Sequence, residues 1–395
     1  MLVVASGWGA GERPDVTTVV VEESRGLSMM QQLRADDRFL ADPPPQVIIA
    51  LDEFDPSRDA LVLGSFLNTQ SQLAGRPFVS FRRPEWVALE DKVVVDEFWD
   101  RAGIVRQPSV VVELSHASEA SRSVDLGHGT VWAADARDGF HGGASQTYWV
   151  ADGPSRDRAL TKLQAVCERV RIMPFLDGIP CSIHGMVLPD GIVVLRPVEM
   201  VTLRRGREFV YAGCATYWDP PAELREQMRS IARVAATRLA EELDFRGTFT
   251  VDGVVTADGF WPTELNPRFG AGINTIARAS GLPILLLNDL VVGGHDLGRS
   301  AASIEGELVE QADLHRGGGT WMSGLTHDAE QGLRTVEGSA VTIGESFVRC
   351  VYDPASTPIG PSTAQRACEF WGSADRELGT QIGPLTPAPD LTARR

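Results

Sequence analysis

The apolar positions change period several times along the chain, and each change predicts an element. Short β-rich runs bounded by Gly, Pro or Asp occur at residues 2–5, 17–21, 46–51 and 77–80, with helical stretches between them at 27–34 and 66–73. Strand and helix alternating in this way predict a small α/β layer around a parallel sheet. Pro43-Pro44-Pro45 reads as a rigid connector that cannot lie inside a helix. A helix is expected over 86–102, ended by Gly103 and followed by the apolar run Val110-Val111-Val112. Leu224, Met228, Ile231, Ala235, Leu239 and Leu243 recur at three- and four-residue spacing, so 221–243 reads as a long amphipathic helix with Asp219 as its cap. Residues 172–203 read as β, with a hairpin about Pro189-Asp190-Gly191. A second hairpin joins 248–255 to 260–265 through Ala257-Asp258-Gly259. The last ninety or so residues look less regular. Gly317-Gly318-Gly319 marks a loop or a close backbone approach, and the tail after Ile382 reads as frayed.

Composition narrows what such a chain can do. At 395 residues it can bury a sizeable core and is expected to divide into domains. The net charge of −16 argues against a general nucleic-acid binder, which needs a broad basic face to displace counterions. It does not oppose one polyphosphate held in a local positive pocket. No stretch of about 18 apolar residues is present, so no membrane span is expected. The first residues are too short and too uncharged for a signal-peptide core. The five cysteines are widely spaced and lack CxxC pairs, as expected of reduced thiols in the cytoplasm without a zinc site. Lysine occurs only at Lys92 and Lys162, the other basic residues all being arginine.

Candidate chemistry concentrates between Arg246 and Gly272. Side chains alternate on a strand, so Glu264 and Asn266 point the same way, and Arg268 extends the line if the chain stays extended. Pairing across the second hairpin brings Asp252 towards both. Two carboxylates and an amide oxygen are hard ligands suited to Mg²⁺, which completes its shell with water and phosphate oxygens. An arginine beside them could stabilise charge on a transferring phosphoryl group. Taken singly, Asp252-Gly253 is equally a tight turn and Asn266-Pro267 a loop start.

Glu264-Leu265-Asn266-Pro267-Arg268, preceded at twelve residues by Asp252, resembles the metal-binding signature of the ATP-grasp superfamily. Ala88-Leu89-Glu90-Asp91-Lys92 resembles the segment carrying that fold's first ATP-binding lysine, and Met173-Pro174-Phe175-Leu176-Asp177-Gly178 its adenine-binding hinge. The resemblance covers roughly residues 85–300. LEDK, MPFLDGIPCSIHG and LRPVEM are further similar to peptide ligases of peptide natural-product pathways of the pheganomycin type.

The resemblance implies an α/β (α+β) ATP-grasp fold. It places a pre-ATP-grasp α/β domain at 1–90, a first subdomain at 91–170, a second subdomain with the Mg-ATP site at 171–300, and a C-terminal segment at 301–395. It implies a carboxylate–amine ligase that makes an acylphosphate from ATP and joins it to an amine, with small-molecule or peptide acid and amine substrates. Lys92 would contact phosphates, while Asp252, Glu264 and Asn266 would hold Mg²⁺. Arg268 would stabilise the acylphosphate and tetrahedral intermediate. Met173, Pro174, Phe175 and Leu176 would face adenine.

Several assignments are less direct. Gly142, Gly143 and Ala144 are expected to cover the triphosphate, the alternative being an ordinary hairpin loop. Arg196 is expected to reach phosphate or a substrate carboxylate, oriented by Glu199, or else to form a structural pair. Arg204, Arg205 and Arg207 read as a solvated turn, the alternative being a cluster that draws in an anionic nucleotide or acid, and His184 as a packed sheet residue rather than a base. Ser6-Gly7-Trp8-Gly9-Ala10-Gly11 lacks the full dinucleotide spacing. Two departures from the superfamily pattern stand out. The strand at 130–137 has no second ATP-binding lysine, Arg137 being its nearest cation, and Pro180 occupies the place of a ribose-binding acid, with Asp177 as a substitute. These departures motivate the alternative of a degenerate nucleotide-binding or scaffold protein. No biotinyl-carrier lysine motif is present. The sequence allows a homodimer.

Overall fold

A computed structural model describes residues 1–5, 15, 17–20, 29–137, 142, 144–325, 327, 329–336 and 338–388. At the N-terminus the strands Leu2–Ala5 and Thr17–Val20 pair in parallel, as the α/β pattern predicts. Helices Met29–Ala41 and Pro45–Phe54 accompany them. The second helix replaces the strand expected at 46–51. The branched run Val47-Ile48-Ile49 suggested β, but Pro45 opens a helical first turn, and Val47 and Leu51, four apart, fill the local core. The helix expected at 66–73 is instead a loop that leads into the short strand Gln72–Leu73. Buried Asn68 accepts from the Gln70 amide and donates to the carbonyls of Gln70 and Ser80. Of 77–80, only Pro77 joins a regular strand, Arg76–Pro77.

The helix expected over 86–102 is broken. Pro84–Val87 and the short 3₁₀ turn Ala88–Glu90 are followed by a turn, and the helix Val95–Arg101 begins after it. The Asp91 carboxylate accepts from the Val93 amide at 3.1 Å, a local bond that competes with helix continuation.

Strands Val110–Glu113, Arg169–Pro174, Thr130–Ala134 and Thr147–Val150 form one antiparallel ladder. Helices Ala117–Val124 and Gly153–Leu163 cover one face, where Trp132, Ala134, Val170 and Ile172 are buried. The expected boundary between 170 and 171 falls inside Arg169–Pro174.

The larger ladder runs in the order Gly259–Asn266, Gly247–Thr256, Ile179–Leu188, Val198–Arg205, Glu208–Ala215, Gly318–Ser323, Phe347–Val351, Ser339–Ile343 and Gly332–Val336. Both predicted hairpins are present, with Gly191–Val194 returning on Ile179–Leu188. Thr147–Val150 meets Glu208–Ala215 at Tyr148 and Glu208, joining the two ladders. The predicted long helix is Ala222–Leu243, burying Met228, Ala232, Ala235, Ala236 and Leu239 against Ile183, Phe249 and Val251. Its N-cap is Pro221 without a side-chain cap. Asp219 instead receives Arg196, Arg225 and Arg316. Helices Ala271–Ser280 and Ala301–Leu314 pack on Met186, Leu188 and Leu195.

The C-terminal segment is more regular than its sequence suggests, with four strands backed by helix Ala364–Leu378. Gly318 and Gly319 are the expected close approach: a Cβ on Gly319 would lie 2.1 Å from the Cys350 carbonyl oxygen. The tail is not frayed at 386–388. Thr386–Pro387 pairs with Arg204 and Leu203, and the Ala388 amide donates to Thr202. Among the described residues no single helix is long and apolar enough to cross a membrane.

Candidate active site

A cavity of about 460 Å³ gathers most of the candidate residues on its wall. At its centre, Asp252 lies directly opposite Glu264, and Thr250 opposite Asn266. A register shift between Asp252 and Gly253 follows immediately. Such bulges twist a ladder and re-aim side chains. Asp252 accepts from the Ser182 hydroxyl through Oδ1 and from Asn266 Nδ2 through Oδ2, the latter at 2.9 Å. Lys92 Nζ sits 3.1 Å from Glu264 Oε2. The broken helix at Asp91 is what lets this lysine turn to the carboxylate.

Burial first, and then the facing Glu264 carboxylate, raise the Asp252 carboxyl from 3.8 to about 7, against the opposing effects of Ser182, Arg268 and Lys92. Two acids held face to face and partly desolvated create a demand for positive charge. Among the described residues no group of three or more His, Cys, Asp or Glu side chains is arranged to hold a metal. Two carboxylates with an amide nevertheless suit Mg²⁺, which leaves the rest of its octahedron to water and phosphate. The donor set therefore fits that ion.

Arg268 turns back rather than continuing the strand, its amide donating to the Asn266 carbonyl at 2.7 Å. Its Nη2 donates to Asn266 Oδ1 at 3.0 Å and its Nε to Glu90 Oε2 at 3.3 Å. Glu90 is buried and also binds Arg82. Thus one turn, Ala88–Glu90 with the two residues after it, touches Glu264 near the C-terminal end of the strand Gly259–Asn266 and Arg268 just beyond that end.

Met173, Pro174, Phe175 and Leu176 line the cavity, as do Gly142, Ala144 and Pro180. Asp177 is exposed and is not on the wall. Gly143 and the segment 6–11 lie outside the described residues. Phe175 stacks on Trp149 at 4.2 Å and lies parallel to Phe209 at 6.4 Å. Arg204 and Arg207 sit over Trp149, at 4.9 and 4.1 Å, so this cluster is more than a solvated turn. Aromatic support of this kind leaves no periodic signal in sequence.

Arg196 is corrected from a phosphate- or substrate-binding group to a structural one. It is fully buried away from the cavity wall, donating to Asp313 at 2.7 Å and to the Trp218 and Ala312 carbonyls. Glu199 does not orient it; that carboxylate accepts from Thr363 and Ser362. Arg137 pairs with Glu168 at the surface, also off the cavity wall. The cation that the sequence reading missed is Arg171, on the wall beside Ala133.

His184 also lines the cavity. Its Nδ1 shares a 2.8 Å hydrogen bond with Thr250 Oγ1, and Nε2 has no partner among the described residues. Only glycine fits beside it, since a Cβ on Gly272 would come within 2.1 Å of Nε2. Burial, helped by Arg268, lowers this imidazole from 6.5 to about 3. A depressed histidine contributes stability that is complete above the unfolded value and is lost as pH falls towards the folded one. Thermal melts of His184→Gln are therefore expected to lose less stability than wild type between pH 6.5 and 4. Equal losses would contradict a neutral, buried His184.

No protein-family model matches the chain. Solved structures resemble it over most of its length. Biotin carboxylase from Campylobacter jejuni, solved as its β,γ-ATP complex, aligns with a TM-score of 0.55 at 13% identity, covering 90% of this chain and 82% of that one. An N5-carboxyaminoimidazole ribonucleotide synthetase in its ADP complex gives 0.53 at 11%, covering 95% and 90%. Phosphoribosylamine–glycine ligase from Thermotoga maritima gives 0.51 at 16%, covering 82% and 84%. These likenesses establish the fold: the chain adopts the ATP-grasp fold. In sequence it is similar to a D-alanine–D-alanine ligase of Frankia casuarinae, 29% identical over 215 residues. That match spans 50% of this chain and 55% of the relative, about half of each.

Proposed function

We propose that the protein is an ATP-dependent carboxylate–amine ligase. The observation that carries this reading is the convergence on one cavity of Asp252, Glu264, Asn266, Lys92 and Arg268 with the strand end Met173-Pro174-Phe175. Asp252, Glu264 and Asn266 would hold Mg²⁺, which when bound neutralises phosphate charge. The acid's carboxylate oxygen attacks the γ-phosphorus of ATP, and the bond to the ADP oxygen breaks. The amine nitrogen then attacks the acyl carbon, phosphate leaves, and the nitrogen loses a proton. Lys92, paired with Glu264 at rest, is placed to exchange that contact for phosphate oxygens. Arg268 stabilises the negative charge that builds on the acyl oxygen. Most of the rate comes from positioning and charge rather than from covalent chemistry by the protein.

The amide formed is proposed to be a peptide bond made in natural-product assembly, on the strength of the LEDK and MPFLDGIPCSIHG segments. The likeness to a D-alanine–D-alanine ligase supports ligation of amino-acid-like acids and amines. A coupled screen across amino acids, small acids and short peptides is expected to release ADP and phosphate only when acid and amine are both present. Formation of AMP and pyrophosphate would instead indicate adenylation. The strand at 130–137, on which a second lysine was expected and none stands, favours a scaffold as the second reading. Tight binding of ATP with no turnover across the panel would select it.

A further inference from the structure

Among the described residues the cavity wall carries three cations, Lys92, Arg171 and Arg268. Lys92 and Arg268 belong to the metal-binding end, through Glu264 and Asn266. Arg171 has no role in the reading above. Its strand, Arg169–Pro174, pairs with Thr130–Ala134 so that Val131 faces Met173 and Ala133 faces Arg171. All four line the cavity, while the alternate residues Trp132, Ala134, Val170 and Ile172 point into the core behind. Strand alternation thus fixes Arg171 on the cavity face.

Its guanidinium is held tightly. Nε and Nη2 donate to the two oxygens of Asp96, at 2.9 and 2.6 Å, and Nη1 donates to the Thr263 carbonyl at 2.8 Å. Asp96 also accepts from Ser109. Three of the five N–H donors of an arginine are used in this way. The other two have no protein partner among the described residues. The position is informative. Arg171 stands two residues before Met173 on the strand that becomes the hinge, and it bonds the residue immediately before Glu264. It therefore bridges the adenine end and the metal end, the interval that a polyphosphate must cross.

We infer that Arg171, clamped by Asp96, is the second phosphate-binding cation of this site, supplied from the strand next to the one where a lysine was expected. The inference rests on the nucleotide-binding part of the proposed function. The burden of neutralising the polyphosphate is shared by Lys92 at one end and Arg171 in the middle.

The test is calorimetric titration of wild type, Arg171→Gln and Arg171→Lys with ATP, ADP and adenosine in Mg²⁺. The Gln variant removes the charge but can still donate to the Thr263 carbonyl. It is expected to lose about 10-fold or more in ATP and ADP affinity, as removal of a charged hydrogen bond does, with adenosine unchanged and the Lys variant close to wild type. Equal losses for adenosine would show a structural role only, and unchanged ATP affinity would also overturn the inference. If Arg171→Gln does not fold, Ala133→Asp places an acid directly opposite Arg171. ATP affinity must then fall while adenosine affinity holds, and no fall overturns the inference. ATP binding through Arg171 without any ligation would leave this assignment standing and sink the ligase reading. Active ligation with Arg171→Gln indistinguishable from wild type would do the reverse.

Discussion

Arg268→Ala is expected to abolish ligation while leaving ATP affinity nearly unchanged. The guanidinium reaches Asn266, Glu90 and the Phe269 carbonyl beside the strand Gly259–Asn266, and it lines the cavity in which an acyl oxygen would stand. Removing a donor aimed at charge that develops only in the transition state typically costs 10²–10³-fold in turnover, or about 3–4 kcal/mol. Loss of the fold is not expected to confuse the result. Glu90, the buried acid that Arg268 binds, keeps its pairing with Arg82 and is not left as an isolated charge. Steady-state ADP release and an independent ATP titration on the same preparation check both halves. Turnover within a few-fold of wild type would remove Arg268 from the chemistry.

Asp252→Asn is expected to act in two opposite directions. Metal-supported turnover should fall by ~10²-fold or more, because a hard anionic ligand is gone and metal charge stabilisation is worth several kcal/mol. Stability without metal should rise. The Asp252 carboxyl titrates near 7 in the folded protein because of burial and the facing Glu264, against 3.8 ordinarily. A folded value above the unfolded one means that the folded state favours the neutral form. That contribution is full below the unfolded value and is lost as pH rises through the folded one. Above about pH 7 the charged carboxylate is a liability that asparagine lacks. Thermal melts in chelator should show the variant more stable than wild type at pH 8, with the gap closing at pH 5. A variant less stable than wild type at pH 8 would mean that the facing acids are already neutralised.

The second hairpin was legible because its chemistry is local: alternation puts Glu264 and Asn266 on one face, and a short turn returns Asp252 to them. Helix Ala222–Leu243 was legible from its period. What was missed depends on non-local partners. Three branched residues after a run of three prolines and Gln46 read as strand until the rest of the layer claims Val47 and Leu51. The C-terminal strands find their ladder partner at Glu208–Ala215, about a hundred residues upstream. Arg196 has the composition of a site residue, but Asp219 and Asp313, brought in from two other elements, make it a buried structural ion pair. Arg171 was passed over because nothing local distinguishes it. Its meaning comes from Ala133 across the ladder and from Asp96 seventy-five residues upstream.

The turn that carries Glu90 and Lys92 couples two chemical tasks mechanically. Glu90 steadies the arginine proposed to act on the acyl group, and Lys92, two residues on, meets the carboxylate proposed to act on the metal. A rotation of this short segment would move both contacts together, so the spacing between the phosphoryl donor and the acyl acceptor is held by a single lever. Insertions there would misalign the two halves of the reaction at once, whereas the same change in a surface loop would leave both untouched.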